Sequence, residues 1–530
     1  MTEHLIIVPI ILPLAIAALL LLTGGRNRTL EAGLAIISHA TLLVVAAALV
    51  LITDGRSGAG LSMIYRLGNW PAEFAIVLVA DRLAALMVLL TSILGLVSAV
   101  FALSRWSRLG PYYYPLFQFL MMGLNGAFLT GDLFNLFVFF EILLAASYGL
   151  LLHGSGVKRV VPGLHYIVIN LAASLLFLVG VSLIFGVTGT LNMAMLAERG
   201  GELEDGTRAL LHAGAAILGV AFLVKAAAWP LGFWLPRTYA AAVPATAAMF
   251  AIMTKVGVYS VLRLGTLVFG TEAGPSAAFG AEWLFIAGGV TIVIGIIGML
   301  AARDLGRMIG NGLLMSSGTL LAVIAFHDAQ VLAGGLFYMS VSTVAAAALF
   351  LLSGMIGSEG GEVSEEPPVL EAYDPEADGL FTEDDERTVK IPAPIGILSG
   401  GFLIAALMIA GLPPLPGFIA KFAMLSPLLS APVGPLPWAP WLLAVLVILS
   451  SLFPLIALAR AGIQIWWVDE GSVPPTIRLG EVAPVTLLLV ACLVLTVTVE
   501  GPFGFIQRAA AQLLDPAQYI ETVIGTVARP

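Results

Sequence analysis

The stretch Val220-Ala-Phe-Leu-Val-Lys225-Ala-Ala-Ala-Trp229-Pro230-Leu-Gly-Phe-Trp-Leu-Pro236 places one lysine inside an apolar run and then interrupts the run with proline and glycine. A lysine at mid-bilayer costs roughly 2.5–3.5 kcal/mol on insertion scales, so its retention there points to a function. Proline removes a helix hydrogen bond and its ring clashes with the preceding turn, so this helix breaks near Pro230. About 185 residues later, Gly411-Leu-Pro413-Pro414-Leu-Pro-Gly-Phe418 interrupts a second apolar run, with Lys421 just beyond it. Paired broken helices in two halves of a chain are a sequence pointer to an ion site in inverted-repeat transporters.

The rest of the chain has the same character. Of 530 residues, 59% are hydrophobic and 11% charged, and the mean hydropathy is +1.02. Soluble domains carry roughly 25% charged residues. Apolar runs of about 20 residues, each long enough to cross roughly 30 Å of hydrocarbon, recur along the chain. We read an all-α polytopic membrane protein of about 14 spans. They lie near 5–23, 30–52, 75–103, 112–130, 132–152, 163–186, 209–229, 244–265, 281–300, 308–326, 331–356, 395–425, 438–459 and 481–499.

Several function classes fall away. No basic patch exists to contact phosphates, which argues against nucleic acid. Cys492 is the only cysteine and lies in an apolar run, so disulfides and thiolate metal sites are not expected. The histidines (His4, His39, His153, His165, His212 and His327) show no metal-ligand spacing, and those near span ends read as interfacial. No metal, cofactor or enzymatic activity is expected. The first apolar run follows Glu3 and His4 rather than a basic region, so a cleavable signal is not expected either.

The net charge of −9 is local. Twelve of the 33 acids and two of the 24 bases lie between Glu359 and Lys390, leaving 21 acids against 22 bases elsewhere. Alternate loops hold Arg26 and Arg28, Arg105 and Arg108, Lys158 and Arg159, Arg237, Arg303 and Arg307, then Arg460 and Arg478. By the positive-inside rule those loops are cytoplasmic and both termini lie outside. The chain divides into 1–130 (spans one to four), 131–270 (with Glu141, Lys225 and Lys255) and 271–357 (spans nine to eleven). An acidic cytoplasmic loop follows at 358–394, then 395–500 with Lys421, and a tail at 501–530 that reads as an interfacial or packing segment.

Four ionisable residues fall inside spans: Glu141 in Phe137-Val-Phe-Phe-Glu141, Lys225, Lys255 in Ala251-Ile-Met-Thr-Lys255, and Lys421. Burial disfavours a charged ammonium, and a neighbouring carboxylate restores it, so a Glu–Lys pair can hold or release a proton as its separation changes. Arginine could not serve, because it does not deprotonate. Structural ion pairing or snorkelling is the plain alternative for each lysine. Asp81-Arg82 and Asp132 open spans and read as anchors or caps.

Thr130-Gly-Asp-Leu-Phe-Asn-Leu-Phe-Val-Phe-Phe-Glu141, followed by Ala146-Ser-Tyr-Gly, resembles the fifth-helix segment of the D subunits of Mrp-type multisubunit Na+/H+ antiporters. Phe222-Leu-Val-Lys225 with Trp229-Pro230-Leu, Met253-Thr-Lys255-Val-Gly-Val-Tyr, and Gly411-Leu-Pro-Pro-Leu-Pro-Gly-Phe with Lys421 continue the resemblance over the whole chain. It implies 14 helices with two inverted five-helix repeats and breaks in helices 7 and 12. It also implies a coupled Glu141–Lys225 pair, Lys255 as central relay and Lys421 as terminal lysine. Lysine at the twelfth-helix site favours this antiporter branch over the complex I relative that carries Glu there.

The implied partners are the other membrane subunits of an antiporter complex, protons, Na+ and the lipid of a bacterial cell membrane. Members of the family commonly carry a histidine on the tenth or eleventh helix. Here Asn311-Gly-Leu-Leu-Met-Ser-Ser and Tyr338-Met-Ser-Val-Ser-Thr-Val have none. The link from Lys255 to Lys421 is therefore expected to run through Ser316, Ser317, Ser340, Ser342, Thr343, Tyr259 and water. An antiporter-like proton-pumping subunit of a complex I or hydrogenase type redox complex is the alternative, and a purely structural scaffold is a third reading.

Overall fold

The computed structural model describes residues 3–24, 27–55, 62–71, 75–201, 203–357, 392–430, 434–467 and 478–525. The acidic loop expected at 358–394 lies outside these residues up to position 391. The chain opens with α1 (Val8–Thr23) and α2 (Arg28–Asp54), followed by strands β1 (Met63–Arg66) and β2 (Val77–Ala80). Next come α3 (Arg82–Ala102), α4 (Tyr113–Leu129), α5 (Leu133–Leu151), α6 (Val157–Thr188) and α7 (Met193–Gly201). The middle of the chain holds α8 (Asp205–Lys225), α9 (Leu235–Ala241), α10 (Pro244–Leu267), α11 (Ala281–Ala301), α12 (Leu305–Ile324) and α13 (Ala329–Ile356). It closes with α14 (Ala393–Ala410), α15 (Pro416–Ser430), α16 (Ala439–Trp467), α17 (Leu479–Val497), α18 (Glu500–Leu514) and α19 (Pro516–Ile524).

Among the described residues twelve helices are long and apolar enough to cross a membrane: α2, α3, α5, α6, α8, α10 to α14, α16 and α17. The 16-residue α1 is a shorter apolar helix. Short acidic and amide side chains set where several of these begin. Asn27 accepts from Leu30 N, Asp81 from Ala84 N, Asp132 from Asn135 N and Asp304 from Arg307 N. Each satisfies a donor that the first helical turn leaves free.

The expected all-α architecture holds, with one short hairpin added to it. β1 and β2 form an antiparallel hairpin, with Met63 opposite Ala80 and Arg66 opposite Val77. Leu78 also bridges to Thr130, which fixes the hairpin against the start of α5.

Burial divides the helices into two sets. α3, α10, α12 and α13 are buried over most of their surface, whereas α2, α6, α8, α11, α14, α16 and α17 leave more than half of theirs outward. A helix apolar on all sides belongs in the middle of an assembly. α10 is the most enclosed of all, and it carries Lys255.

Both interrupted helices leave gaps lined by backbone. α8 stops at Lys225, residues 226–234 run as turns, and α9 resumes at Leu235. The orphaned Trp229 N–H donates to Thr291 Oγ1 of α11 at 2.9 Å. α14 ends on Gly411, whose φ of +72° suits a residue without Cβ, and α15 starts at Pro416. The tail packs inward, with α18 on α3 and α13 and α19 on α7.

Candidate functional site

The first cluster joins α5, α6 and α8. Glu141 is half-buried on α5 and accepts a short hydrogen bond from Ser174 Oγ of α6. Lys225, the last residue of α8, holds its Nζ 5.5 Å from the centre of the Phe140 ring. Glu141 and Lys225 are not in salt-bridge contact. A separation that can change is what a Glu–Lys pair needs in order to exchange a proton rather than lock one in place.

Beside Lys225 lies a cavity of about 20 Å³ lined by Phe140, Leu143, Tyr166, Asn170, Trp234 and Met253 among others. About 10–15 Å³ suffices for one water. Trp234, whose indole N–H has no partner among the described residues, lines this cavity, and Tyr166 OH meets Ser147 Oγ at 2.6 Å. Met253 and Val256 of α10 form its far wall, so the cavity stands between Lys225 and the helix of Lys255.

Lys255 is fully buried, and its Nζ donates to Ser316 Oγ of α12 at 2.9 Å. Ser316 Oγ in turn meets Ser342 Oγ of α13 at 3.0 Å. Of the expected hydroxyl relay, these two serines come together with the lysine. Ser340 donates to Leu336 O at 3.0 Å and Thr343 to Met339 O at 2.6 Å, each within its own helix. Ser317 Oγ is buried without a partner among the described residues. Tyr259 turns away, donating to Phe128 O at 2.6 Å and accepting from Arg263 Nη2 at 3.2 Å.

Lys421 sits at the second gap, 4% exposed. Its Nζ donates to Ser451 Oγ at 2.8 Å, Ser450 O at 2.9 Å and Ala410 O at 3.3 Å. Two local breaks supply those acceptors. Ala410 is the last residue of α14, where unpaired carbonyls and the helix dipole favour a cation. Pro454 lies inside α16 and cannot donate to the carbonyl four residues earlier, which leaves Ser450 O free for the lysine. Among the described residues no hydrogen-bonded chain joins Ser342 to Lys421.

Sequence reasoning missed two parts of this arrangement. Arg263 is buried on α10, eight residues after Lys255, and makes a two-pronged ion pair with Asp81 at 2.5 and 2.8 Å. Lys255, Tyr259 and Arg263 share one face at i, i+4 and i+8, a spacing visible in the sequence. Ser174, Ser450 and Ser451 carried no signal, because serine is common in helices and their roles depend on which side chain lies opposite.

Comparison with known proteins adds the family. The transmembrane family described as NADH:quinone oxidoreductase/Mrp antiporter matches residues 130–453, a segment holding Glu141, Lys225, Lys255 and Lys421. The chain belongs to this family. The D subunit of a probable K(+)/H(+) antiporter from Rhizobium meliloti is 49% identical over 99% of this chain and 98% of that protein. The D subunit of the Na(+)/H(+) antiporter of Alkalihalophilus pseudofirmus is 34% identical over 98% and 99%. Among solved structures, a chain of the Mrp complex from a Dietzia species is similar with a TM-score of 0.81 and 27% identity, covering 99% of both chains. The resemblance to Mrp antiporters therefore runs the length of the chain, in sequence and in fold.

Proposed function

We propose that this chain is the proton-conducting D-type subunit of a multisubunit monovalent cation/proton antiporter, a secondary transporter rather than an enzyme. It works in a bacterial cell membrane together with the complex's other membrane subunits. One observation carries the reading: Lys255 lies at zero exposure on the most enclosed helix, with a hydroxyl rather than a carboxylate as its contact. A lysine retained for structure would be expected to hold an acid partner there, as Arg263 holds Asp81.

Protons pass between Glu141–Lys225, Lys255 and Lys421, with water in the cavity beside Lys225 and the Ser316–Ser342 pair next to Lys255. Adding α1 and α4 to the twelve long spans, and counting α9 and α15 as second halves of broken ones, gives 14 crossings. The two breaks then stand five crossings apart, as two inverted five-helix repeats require, and both termini share one side, the outer one by the loop charges. The cation is K+ or Na+, since relatives named for either are similar to the chain.

The test is collapse of a pH gradient in everted vesicles on addition of K+ or Na+. The intact complex is compared with Glu141→Ala and Lys421→Ala, with co-purification of the other subunits measured in parallel. Both substitutions are expected to abolish exchange without loss of assembly. Wild-type exchange in either assembled variant would refute the relay.

A further inference from the structure

α2, α3 and α4 enclose a second set of buried polar groups that the relay does not use. His39 is fully buried near the middle of α2, and neither ring nitrogen has a hydrogen-bond partner among the described residues. Its ring stands edge-on to Phe117 of α4 at 5.2 Å and lies against Gly95 of α3, where Met121 also packs. Along the same seam Ser38 donates to Gln118 Oε1 at 3.2 Å, leaving Gln118 Nε2 unpaired, and Ser98 Oγ and Asn125 Oδ1 are unpaired too. Ser98 is one turn from Gly95 on α3, and Gln118 and Asn125 flank Met121 on α4, so these groups share one face of each helix. A buried polar atom left unpaired costs about 1–3 kcal/mol. Five along one seam are not tolerated dry, and water is the partner that fits all of them.

An opening lies at one end of the same three helices. Where α2 begins and α3 ends, a cleft of about 410 Å³ is lined by Arg28, Glu31, Ser107, Arg108 and Tyr114 among others. Ser38 lies two turns along α2 from Glu31, and Gln118 one turn along α4 from Tyr114. We propose that His39 is a proton-binding site at the inner end of a water-filled inlet between α2, α3 and α4, which opens at this cleft. The groups packed on the imidazole from α3 and α4 are Gly95, Phe117 and Met121, all uncharged. Glu31, Arg28 and Arg108 are the charged groups that line the mouth of the inlet. The ring therefore gains or loses a proton through water. That this proton joins the transported ones rests on the antiport reading; the inlet itself does not.

The experiment pairs footprinting with exchange on the assembled complex. X-ray hydroxyl-radical footprinting oxidises side chains that touch bound water. Met121, beside His39, is expected to be oxidised several-fold faster than Met87, equally buried two turns away on α3. Exchange by His39→Gln, which keeps the site polar but cannot titrate, is expected to fall several-fold and to lose part of its pH dependence. Oxidation of Met121 no faster than Met87 would overturn the inlet. Wild-type rate and pH profile in His39→Gln would overturn the proton site even with a wet seam. The footprint is read on the wild-type complex whether or not it exchanges cations, so a failed antiport reading and a dry seam are told apart.

Discussion

Lys255 has three N–H donors and, among the described residues, one hydrogen-bond partner, Ser316. Ser316→Ala would strip that partner from a buried ammonium, and each orphaned donor costs about 1–3 kcal/mol. Exchange is expected to slow several-fold in everted vesicles while the complex still co-purifies. Ser340→Ala and Thr343→Ala remove hydroxyls already committed to their own helices and should leave the rate near wild type; equal loss in all three would refute a specific role for Ser316. His153, just beyond α5, responds to pH by another route. Burial lowers its pKa from the ordinary 6.5, the contact with the Trp106 carbonyl opposes this, and Arg159 and Arg28 lower it further. The folded state thus favours neutral imidazole, so the contribution is complete above 6.5 and is lost as pH falls through the lower folded value. The thermal midpoint of the purified complex should drop as pH falls below 6.5, and less so in His153→Gln.

The broken helices depend on close backbone approach. At Gly257 of α10, an added Cβ would lie 2.3 Å from Ala226 N and 2.7 Å from the Lys225 carbonyl carbon. Both are backbone atoms at the α8 break and cannot rotate aside. Gly257→Ala therefore displaces α10 or the break, and overpacking of this kind costs about 1–3 kcal/mol or more. Co-purification of the other subunits should fall sharply, whereas Gly265→Ala, which meets nothing within 4 Å on the same helix, should not disturb it. Elements were legible in the sequence to the extent that one physical rule governed them. Apolar length marked the spans, and proline chemistry marked the gaps at Pro230 and at Pro413-Pro414. Lys225, Lys255 and Lys421 stood out because charge in hydrocarbon is expensive. The β1–β2 hairpin was hidden, because four-residue strands carry too short a pattern to separate from loop. Asp81 read as a cap, which it is, but its second role needed Arg263 opposite, and no single-chain pattern reports that pairing.

Across the whole molecule, Asp81 and Arg263 connect parts that sequence separates widely. Asp81 caps α3 directly after β2, Arg263 ends the polar face of α10, and the Arg263 guanidinium lies 5.4 Å from the Tyr519 ring of α19. Arg82 donates to Gln512 of α18 at 3.2 Å, and Arg508 pairs with Asp54 nearer the surface. The tail thus closes over one end of the helix that carries Lys255. Because both partners of the Asp81–Arg263 pair are buried, removing one strands the other, at about 3–5 kcal/mol. The half-exposed Arg508–Asp54 pair should matter by less than about 1 kcal/mol. We therefore expect Asp81→Ala to lower the thermal midpoint of the purified complex far more than Arg508→Ala. Replacing both partners, as Asp81→Asn with Arg263→Met, should recover much of the loss, since no buried charge then lacks a counter-charge. A double variant as unstable as Asp81→Ala would show that the caps and packing at this junction, rather than charge balance, hold the tail to the helix that carries Lys255.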